Sequence, residues 1–168
     1  MGKVLIAPNY VNDIDTPLIF LAGPIQGAYR WQDTAVDLIQ AAAPELYIAS
    51  PRRASEEGEF GVEKYNGQVD WETYHLRKAG EDGVIMFWLA KEFEHNCKRA
   101  YAQTTRFELA EWKMRHEYAG AKLVVGIEEG FTGAKYIHRR FPQDCPEVQL
   151  CSTLEETCRE AVKLARKI

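Results

Sequence analysis

Seven consecutive apolar residues, Val84-Ile-Met-Phe-Trp-Leu-Ala90, constrain the fold more than any other stretch of this 168-residue chain. An amphipathic surface helix would place polar residues every few positions, and a half-exposed strand would alternate polar with apolar. An uninterrupted β-branched and aromatic run is what a central strand of a parallel sheet requires, because helices cover both of its faces. The run is also far short of the ~20 residues needed to cross a bilayer. It predicts the core of a sheet and gives no sign of a membrane anchor.

On either side of that strand the chain alternates strands with helices. Leu18-Ile-Phe-Leu-Ala22, ended by Gly23-Pro24, is a second buried strand. Trp31, Ala35, Leu38 and Ala42 then recur at helical spacing. Leu46-Tyr-Ile-Ala49, closed by Ser50-Pro51, is the next strand, and residues 52–64 are a polar, Gly-containing loop of active-site size. Gln68 to Ala79 is predicted helical, ending near Gly80, and leads into the strand 84–89. After the polar stretch 91–99 a helix spans 103–118, with Phe107, Ala110, Met114 and Tyr118 on the face that anchors it. Lys122–Ile127 is a further strand and Glu147–Leu150 a candidate edge strand. The last helix opens on Ser152 and Glu155 as a capping box and turns Leu154, Cys158, Ala161 and Ala165 inward.

This order predicts an α/β fold: a doubly wound, flavodoxin-like parallel sheet in a three-layer α-β-α arrangement, one domain over residues 1–168. Ligands of such sheets bind beyond the carboxyl ends of the strands, where the strand order reverses. The loops after Ala22, Ala49 and Leu89, and the helix start near Thr104, are therefore where function is expected.

Charge and composition narrow the chemistry. With Lys+Arg 21 against Asp+Glu 25, the chain is unsuited to wrapping a nucleic acid polymer, though not to a small nucleoside or nucleotide. The apolar stretch near the N-terminus is too short for a signal peptide, and Ile6 stands where myristoylation requires Ser or Thr. A cytoplasmic location is expected, with no membrane partner. Cys97, Cys145, Cys151 and Cys158 form no C-x-x-C pair and are expected as reduced thiols, a Cys145–Cys151 bridge being left open. His75, His95, His116 and His138 are scattered, so no metal site is expected. Gly23-Pro-Ile-Gln-Gly27 matches neither a dinucleotide fingerprint nor a phosphate-binding P-loop, which disfavours a dehydrogenase or an ATPase, and no cofactor is called for.

Three clusters fall at the predicted ligand edge. Gly23, Pro24 and Gln26 allow either a tight strand-to-helix turn or a close backbone approach to a ligand. In Gln103-Thr-Thr-Arg-Phe-Glu108, Glu108 points sideways from the anchoring face. There it is either an ordinary helix-dipole acid or a carboxylate kept anionic for nucleophilic attack. In Asp70-Trp-Glu72, two acids flank an indole that can stack on a base and raise a carboxyl pKa by desolvation; solvated helix-start acids are the plainer alternative. Trp88, at the end of the central strand, is either core or a stacking surface.

Taken together, Ile19-Phe-Leu-Ala-Gly-Pro24, Val69-Asp-Trp-Glu72 followed by Val84-Ile-Met-Phe-Trp88, and Thr104-Thr-Arg-Phe-Glu-Leu-Ala110 resemble the nucleoside 2-deoxyribosyltransferase superfamily, in the branch with W-E and F-E-L-A-E-W motifs. The likeness covers about residues 18–130. It implies a flavodoxin-like fold and transfer of 2-deoxyribose between nucleobases through a covalent glycosyl–enzyme intermediate. Glu108 would be the nucleophile, and Glu72, with Asp70 next, the acid that protonates the departing base. Trp71, Trp88, Gln103, Thr104 and Thr105 join Gly23, Pro24 and Gln26 as substrate-binding candidates. Two positions depart from the family. Phe20 stands where a Tyr hydrogen-bonds the nucleophile, and Ala102-Gln103 where an Asp reads the base, so base preference does not carry over.

Two other readings share the site. One is hydrolysis of the N-glycosidic bond of deoxynucleosides or their 5′-monophosphates, with Thr104, Thr105 and Arg30 or Arg106 as phosphate ligands. The other is a nucleotide-sensing domain without turnover. The resemblance also implies a homodimer or larger homo-oligomer whose neighbour helps close the site. Leu109 and Trp112, on a second apolar face of the Glu108 helix, are candidates for the shared surface, and Phe131–Tyr136 for the segment that reaches across.

Overall fold

The computed structural model describes residues 2–11, 13–53 and 61–168. In chain order the elements are β1 (Val4–Ile6), β2 (Leu18–Ala22), α1 (Trp31–Ala42), β3 (Tyr47–Ser50), α2 (Val62–Asp82) and β4 (Val84–Leu89). They continue with α3 (Gln103–Ala119), β5 (Leu123–Ile127), α4 (Ala134–Asp144), β6 (Gln149–Cys151) and α5 (Leu154–Ala165). The six strands form one all-parallel sheet in the order β1-β3-β2-β4-β5-β6. This is the doubly wound, three-layer α-β-α arrangement expected from the alternation of elements.

Strand pleating explains the layers. In β4, Ile85, Phe87 and Leu89 pack toward α2, α3 and α4, while Val84, Met86 and Trp88 pack toward α1 and α5. Every residue of this strand is buried. Each such side chain contributes roughly 1.5–3 kcal/mol of transfer free energy, which is why a polar residue anywhere in the run would be costly. The chain leaves β2 toward β3 on one side and returns to β4 on the other, so the strand order reverses between β2 and β4. The carboxyl ends of those two strands frame the crevice.

Several boundaries differ from the sequence prediction, each for a physical reason. β1 is only three residues long and pairs with β3 from the sheet edge, too short to produce a periodic signal. α4 buries only Ile137 and Phe141 and carries Pro142 near its end, so its pattern is too sparse to announce a helix. α2 starts at Val62, within the predicted loop 52–64; residues 54–60 of that loop lie outside the described residues. It also runs through Gly80 to Asp82. Gly80 is a packing residue rather than a stop: a Cβ there would lie 2.2 Å from the Trp112 ring. β6 is displaced to Gln149–Cys151. The α5 cap is Thr153, whose hydroxyl accepts from Glu156 N at 3.2 Å while the Glu156 carboxylate accepts from Ser152 N, one residue beyond the predicted Ser152–Glu155 box.

The largest correction concerns α3. Its buried residues are Thr105, Leu109 and Trp112. Phe107, Met114 and Tyr118, the predicted anchors, are 73%, 52% and 81% exposed, and Ala110 is exposed with them. Leu109 and Trp112 face the interior and are not available to a second subunit. α3 carries apolar residues on two faces, so periodicity alone cannot orient it. The notch left by Gly80 on α2 accepts Trp112 and settles the choice.

All four cysteines are free thiols, with Cys145, Cys151 and Cys158 buried and Cys97 exposed. No helix among the described residues is long and apolar enough to cross a membrane.

Candidate active site

A cavity of about 300 Å³ opens at the switch point between β2 and β4. Its wall comes from Phe20 and Ala22 of β2, the Gly23–Gln26 turn, Pro51 after β3, one side of α2, and the start of α3. Of the residues singled out in the sequence, Glu72, Glu108, Gly23, Pro24, Gln26, Gln103, Thr104 and Thr105 line it.

The turn after β2 is held from behind. The Pro24 carbonyl accepts from the Trp31 indole at 2.9 Å and from Gln32 at 3.3 Å. The Gly27 carbonyl accepts from Phe93 N and Glu94 N, which fastens the loop after β4 against the turn. Gly23 is required there for space, since a Cβ would meet the Trp88 carbonyl oxygen at 2.3 Å and the Trp31 ring at 2.6 Å.

α3 begins after Ala102, which adopts a left-handed conformation (φ 55°) and gives no side-chain cap. The first N–H groups of the helix therefore have no capping side chain, at the rim of the cavity. Thr105 lines the cavity at 4% exposure, and its hydroxyl has no hydrogen-bond partner among the described residues. Tyr101 and Arg106 fix this corner. Tyr101 donates to the Ala90 carbonyl at 2.7 Å, and Arg106 donates to Thr132 while lying 4.6 Å over the Phe131 ring.

Two carboxylates face the cavity from different helices. Glu72 of α2 is half-buried, and its Oε1 accepts from the Gln68 amide at 2.7 Å. Burial raises its pKa, against the lowering effects of that amide and of the Arg53 charge. Glu108 of α3 is also half-buried and accepts no hydrogen bond from a described residue. Burial, then the charges of Glu72 and Glu111, push it up to about 8. The predicted stabilisation of the Glu108 anion by the helix N-terminus is overturned. Glu108 is the sixth residue of α3, beyond the first turn where the helix dipole acts, and desolvation dominates. The charge of Glu72 thus helps Glu108 hold its proton into the neutral range, which couples the two acids that face one cavity.

Three candidates lie elsewhere. Asp70 is exposed on the outer side of α2, beside Thr73, Tyr74 and Arg77, because two residues along a helix turn a side chain by about 200° from Glu72. Trp71 is fully buried, its indole N–H donating to the Asn9 carbonyl at 2.8 Å. Trp88 is buried on the opposite face of the sheet, toward α1 and α5, with its indole donating to the Tyr29 hydroxyl at 3.2 Å. Neither indole is placed to stack on a ligand in the cavity.

Arg30, paired with Asp33 at 2.6 Å, and Arg106, bound to Thr132, are outside the lining, whereas Arg99 is in it and pairs with no described carboxylate. In the sequence Arg99 is one member of a polar stretch, with nothing to single it out. Tyr65, Gln68 and Val69 also line the cavity without having been expected there. Their spacing with Glu72 along one side of α2 is the signal that a longer helix would have revealed. Phe131 is buried against Tyr101 and Arg106, so it does not reach outward; Tyr136 is exposed. Among the described residues no group of three or more His, Cys, Asp or Glu is placed to hold a metal ion.

No protein-family model and no curated protein matches the chain. Among solved structures, a conserved protein from Enterococcus faecalis V583 is similar over 89% of this chain and 98% of its own length, at 11% identity and a TM-score of 0.48.

Proposed function

We propose that this chain transfers 2-deoxyribose between nucleobases by a ping-pong mechanism, with Glu108 as nucleophile and Glu72 as acid and base. The observation that carries this reading is the pair itself: two half-buried, electrostatically coupled carboxylates on separate helices, facing one cavity at the switch point of the sheet. Breaking an N-glycosidic bond builds positive charge at C1′ and negative charge on the leaving base. A carboxylate answers the first and a proton donor the second.

The forward step uses the form of the pair with the proton on Glu72, the reverse of the placement favoured without substrate, where Glu108 is the acid raised to about 8. An oxygen of ionised Glu108 then bonds to C1′ as the C1′–N bond breaks. The bonding pair leaves with the base, which takes the proton of Glu72. In the return step Glu72, now a carboxylate, removes a proton from an incoming base, whose nitrogen attacks C1′ and releases Glu108. One proton serves both half-reactions, as the coupled pair requires. Activity is lost at low pH, where both carboxyls hold protons, and at high pH, where neither does.

A specific observation favours a second reading. Arg99, the unpartnered Thr105 hydroxyl and the uncapped start of α3 line the same cavity, a combination suited to the 5′-phosphate of a deoxynucleoside monophosphate. Incubating the protein with each 2′-deoxynucleoside and each 5′-monophosphate, with and without a second free base, separates these outcomes by chromatography. A new nucleoside formed only with acceptor present establishes transfer. Free base without acceptor incorporation establishes hydrolysis, and tight binding with no base release establishes a sensing domain.

A homo-oligomer is part of the same proposal. The exposed stripe Phe107, Ala110, Met114 and Tyr118 has its two aromatic residues at the ends, so a second copy crossing antiparallel about a two-fold axis brings Phe107 opposite Tyr118. Sedimentation that finds only monomer would remove this part.

A further inference from the structure

We propose that Gln68 is a positioning residue that fixes which oxygen of Glu72 holds the proton, and that Arg53 locks Gln68 in the orientation this needs. The inference rests on the transfer reading only for the use made of that proton; the orientation itself follows from hydrogen-bond chemistry.

Gln68 is buried on α2, one helical turn before Glu72. Its amide has three partners. Nε2 donates to the Pro51 carbonyl at 2.9 Å and to Glu72 Oε1 at 2.7 Å, while Oε1 accepts from Arg53 Nε at 2.7 Å. The assignment of amide nitrogen and oxygen is not arbitrary here. A main-chain carbonyl can only accept and a guanidinium N–H can only donate, so the nitrogen must face Pro51 and the oxygen must face Arg53. The second amide hydrogen is then committed to Glu72 Oε1. An oxygen receiving that bond is the carbonyl-like one in the neutral acid, which places the proton on Oε2. Glu72 Oε2 has no hydrogen-bond partner among the described residues, and Glu72 lines the cavity, so Oε2 is the oxygen free to exchange a proton with a ligand.

The same bond acts on the charged state. When Glu72 has given up its proton, the amide hydrogen remains on Oε1 and stabilises the carboxylate until the next base arrives. Among the described residues, the charged groups facing Glu72 are Glu108 from α3 and Arg53 from the segment after β3, with Arg99 on the loop before α3 lining the same cavity. Gln68 is the neutral member of this set, so it orients the acid without adding a charge that would bind its proton or expel it.

The test replaces Gln68 with Met, which keeps its length and removes its hydrogen bonds, and in parallel replaces Arg53 with Met. Two readouts are taken. The first is the carboxyl ¹³C titration of Glu72 in the ligand-free protein, assigned by comparison with Glu72→Gln. The second is turnover of an ordinary 2′-deoxynucleoside beside an N7-methylated 2′-deoxyguanosine, whose base leaves neutral and needs no proton. Gln68→Met is expected to move the Glu72 titration upward by about one pH unit. It is also expected to lower kcat on the ordinary substrate by about tenfold or more while KM and turnover of the methylated substrate change little. Arg53→Met is expected to shift both in the same direction by less.

An unmoved Glu72 titration in a folded variant, or equal losses on both substrates, would overturn the proposal. If Gln68→Met does not fold, Arg53→Lys decides alone: it keeps the charge that itself lowers Glu72 and removes the Nε–H bond to Gln68, and an unmoved Glu72 titration there counts against the proposal. If the wild-type protein turns over neither substrate, the transfer reading fails while the titration still decides the role of Gln68.

Discussion

Replacing Glu108 with Gln should make the protein more stable, and increasingly so as the pH rises. The side chain keeps its shape and loses its charge. In the folded protein the Glu108 pKa is raised to about 8, first by burial and then by Glu72 and Glu111, from an ordinary value of 4.5. Between those two values the folded state binds more protons than the unfolded state, so stability falls as pH rises through this window. At pH 9 the folded protein carries the full cost of a half-buried, unbonded carboxylate; at pH 4 it carries none. Each tenfold gain in proton affinity on folding corresponds to about 1.4 kcal/mol, which sets an upper limit of about 5 kcal/mol for this carboxyl. Partial exposure and screening reduce this to about 2–4 kcal/mol. Urea unfolding of the wild type and Glu108→Gln at pH 5, 7 and 9 measures it directly. The two proteins should differ little at pH 5, and the variant should gain by that amount at pH 9, with a rise in Tm of roughly 5–15 °C. Parallel stability profiles across this range, or a wild type that is the more stable at pH 9, would refute the assignment of Glu108 as a desolvated, charge-coupled acid.

Other expectations test the surrounding structure. Ala102→Gly should stabilise the protein by about 1 kcal/mol, because glycine adopts the left-handed conformation before α3 without the Cβ penalty; thermal melts that show a loss would contradict the strain. Trp112→Ala should cost about 3–5 kcal/mol by emptying the space beneath α3, whereas Phe107→Ala should cost little in the monomer, a contrast that urea titration reads as the orientation of the helix. In Glu72→Gln the charge that helps raise Glu108 is gone, so the acidic limb of the kcat/KM profile for the N7-methylated substrate should move to lower pH; a limb that stays in place would show that the two acids are not coupled.

The fold was legible in the sequence wherever one environment dominated a segment. Residues 84–89 are buried on both faces and contain no polar residue, so their place in the sheet follows from composition alone. The order of the strands and helices other than the short edge strand β1 and the sparsely buried α4, and with it the location of the crevice, followed from that beginning. α3 was legible as a helix but not in its orientation. Phe107 and Met114 are as apolar as Leu109 and Trp112, and the deciding fact, a glycine on α2 shaped to Trp112, is a tertiary one. Glu72 and Glu108 could be named from the short motifs around them, although Glu72 stands in the middle of α2 and Glu108 beyond the first turn of α3. Trp71 and Trp88 were ambiguous because a large aromatic serves core and stacking surface equally well. Gln68 was invisible: nothing marks a buried glutamine as special until Pro51 and Arg53 are seen on either side of its amide.

The covalent role of Glu108 can be tested most directly by intact-mass spectrometry after incubation with a 2-fluorinated 2-deoxynucleoside, whose fluorine slows breakdown of a glycosyl ester. Wild-type protein is expected to gain the mass of one fluorinated pentosyl group, located by peptide mapping on Glu108, and to lose it when a free base is added. Glu108→Gln is expected to gain nothing. Base release from wild type with no adduct, or an adduct on another residue, would contradict Glu108 as the nucleophile.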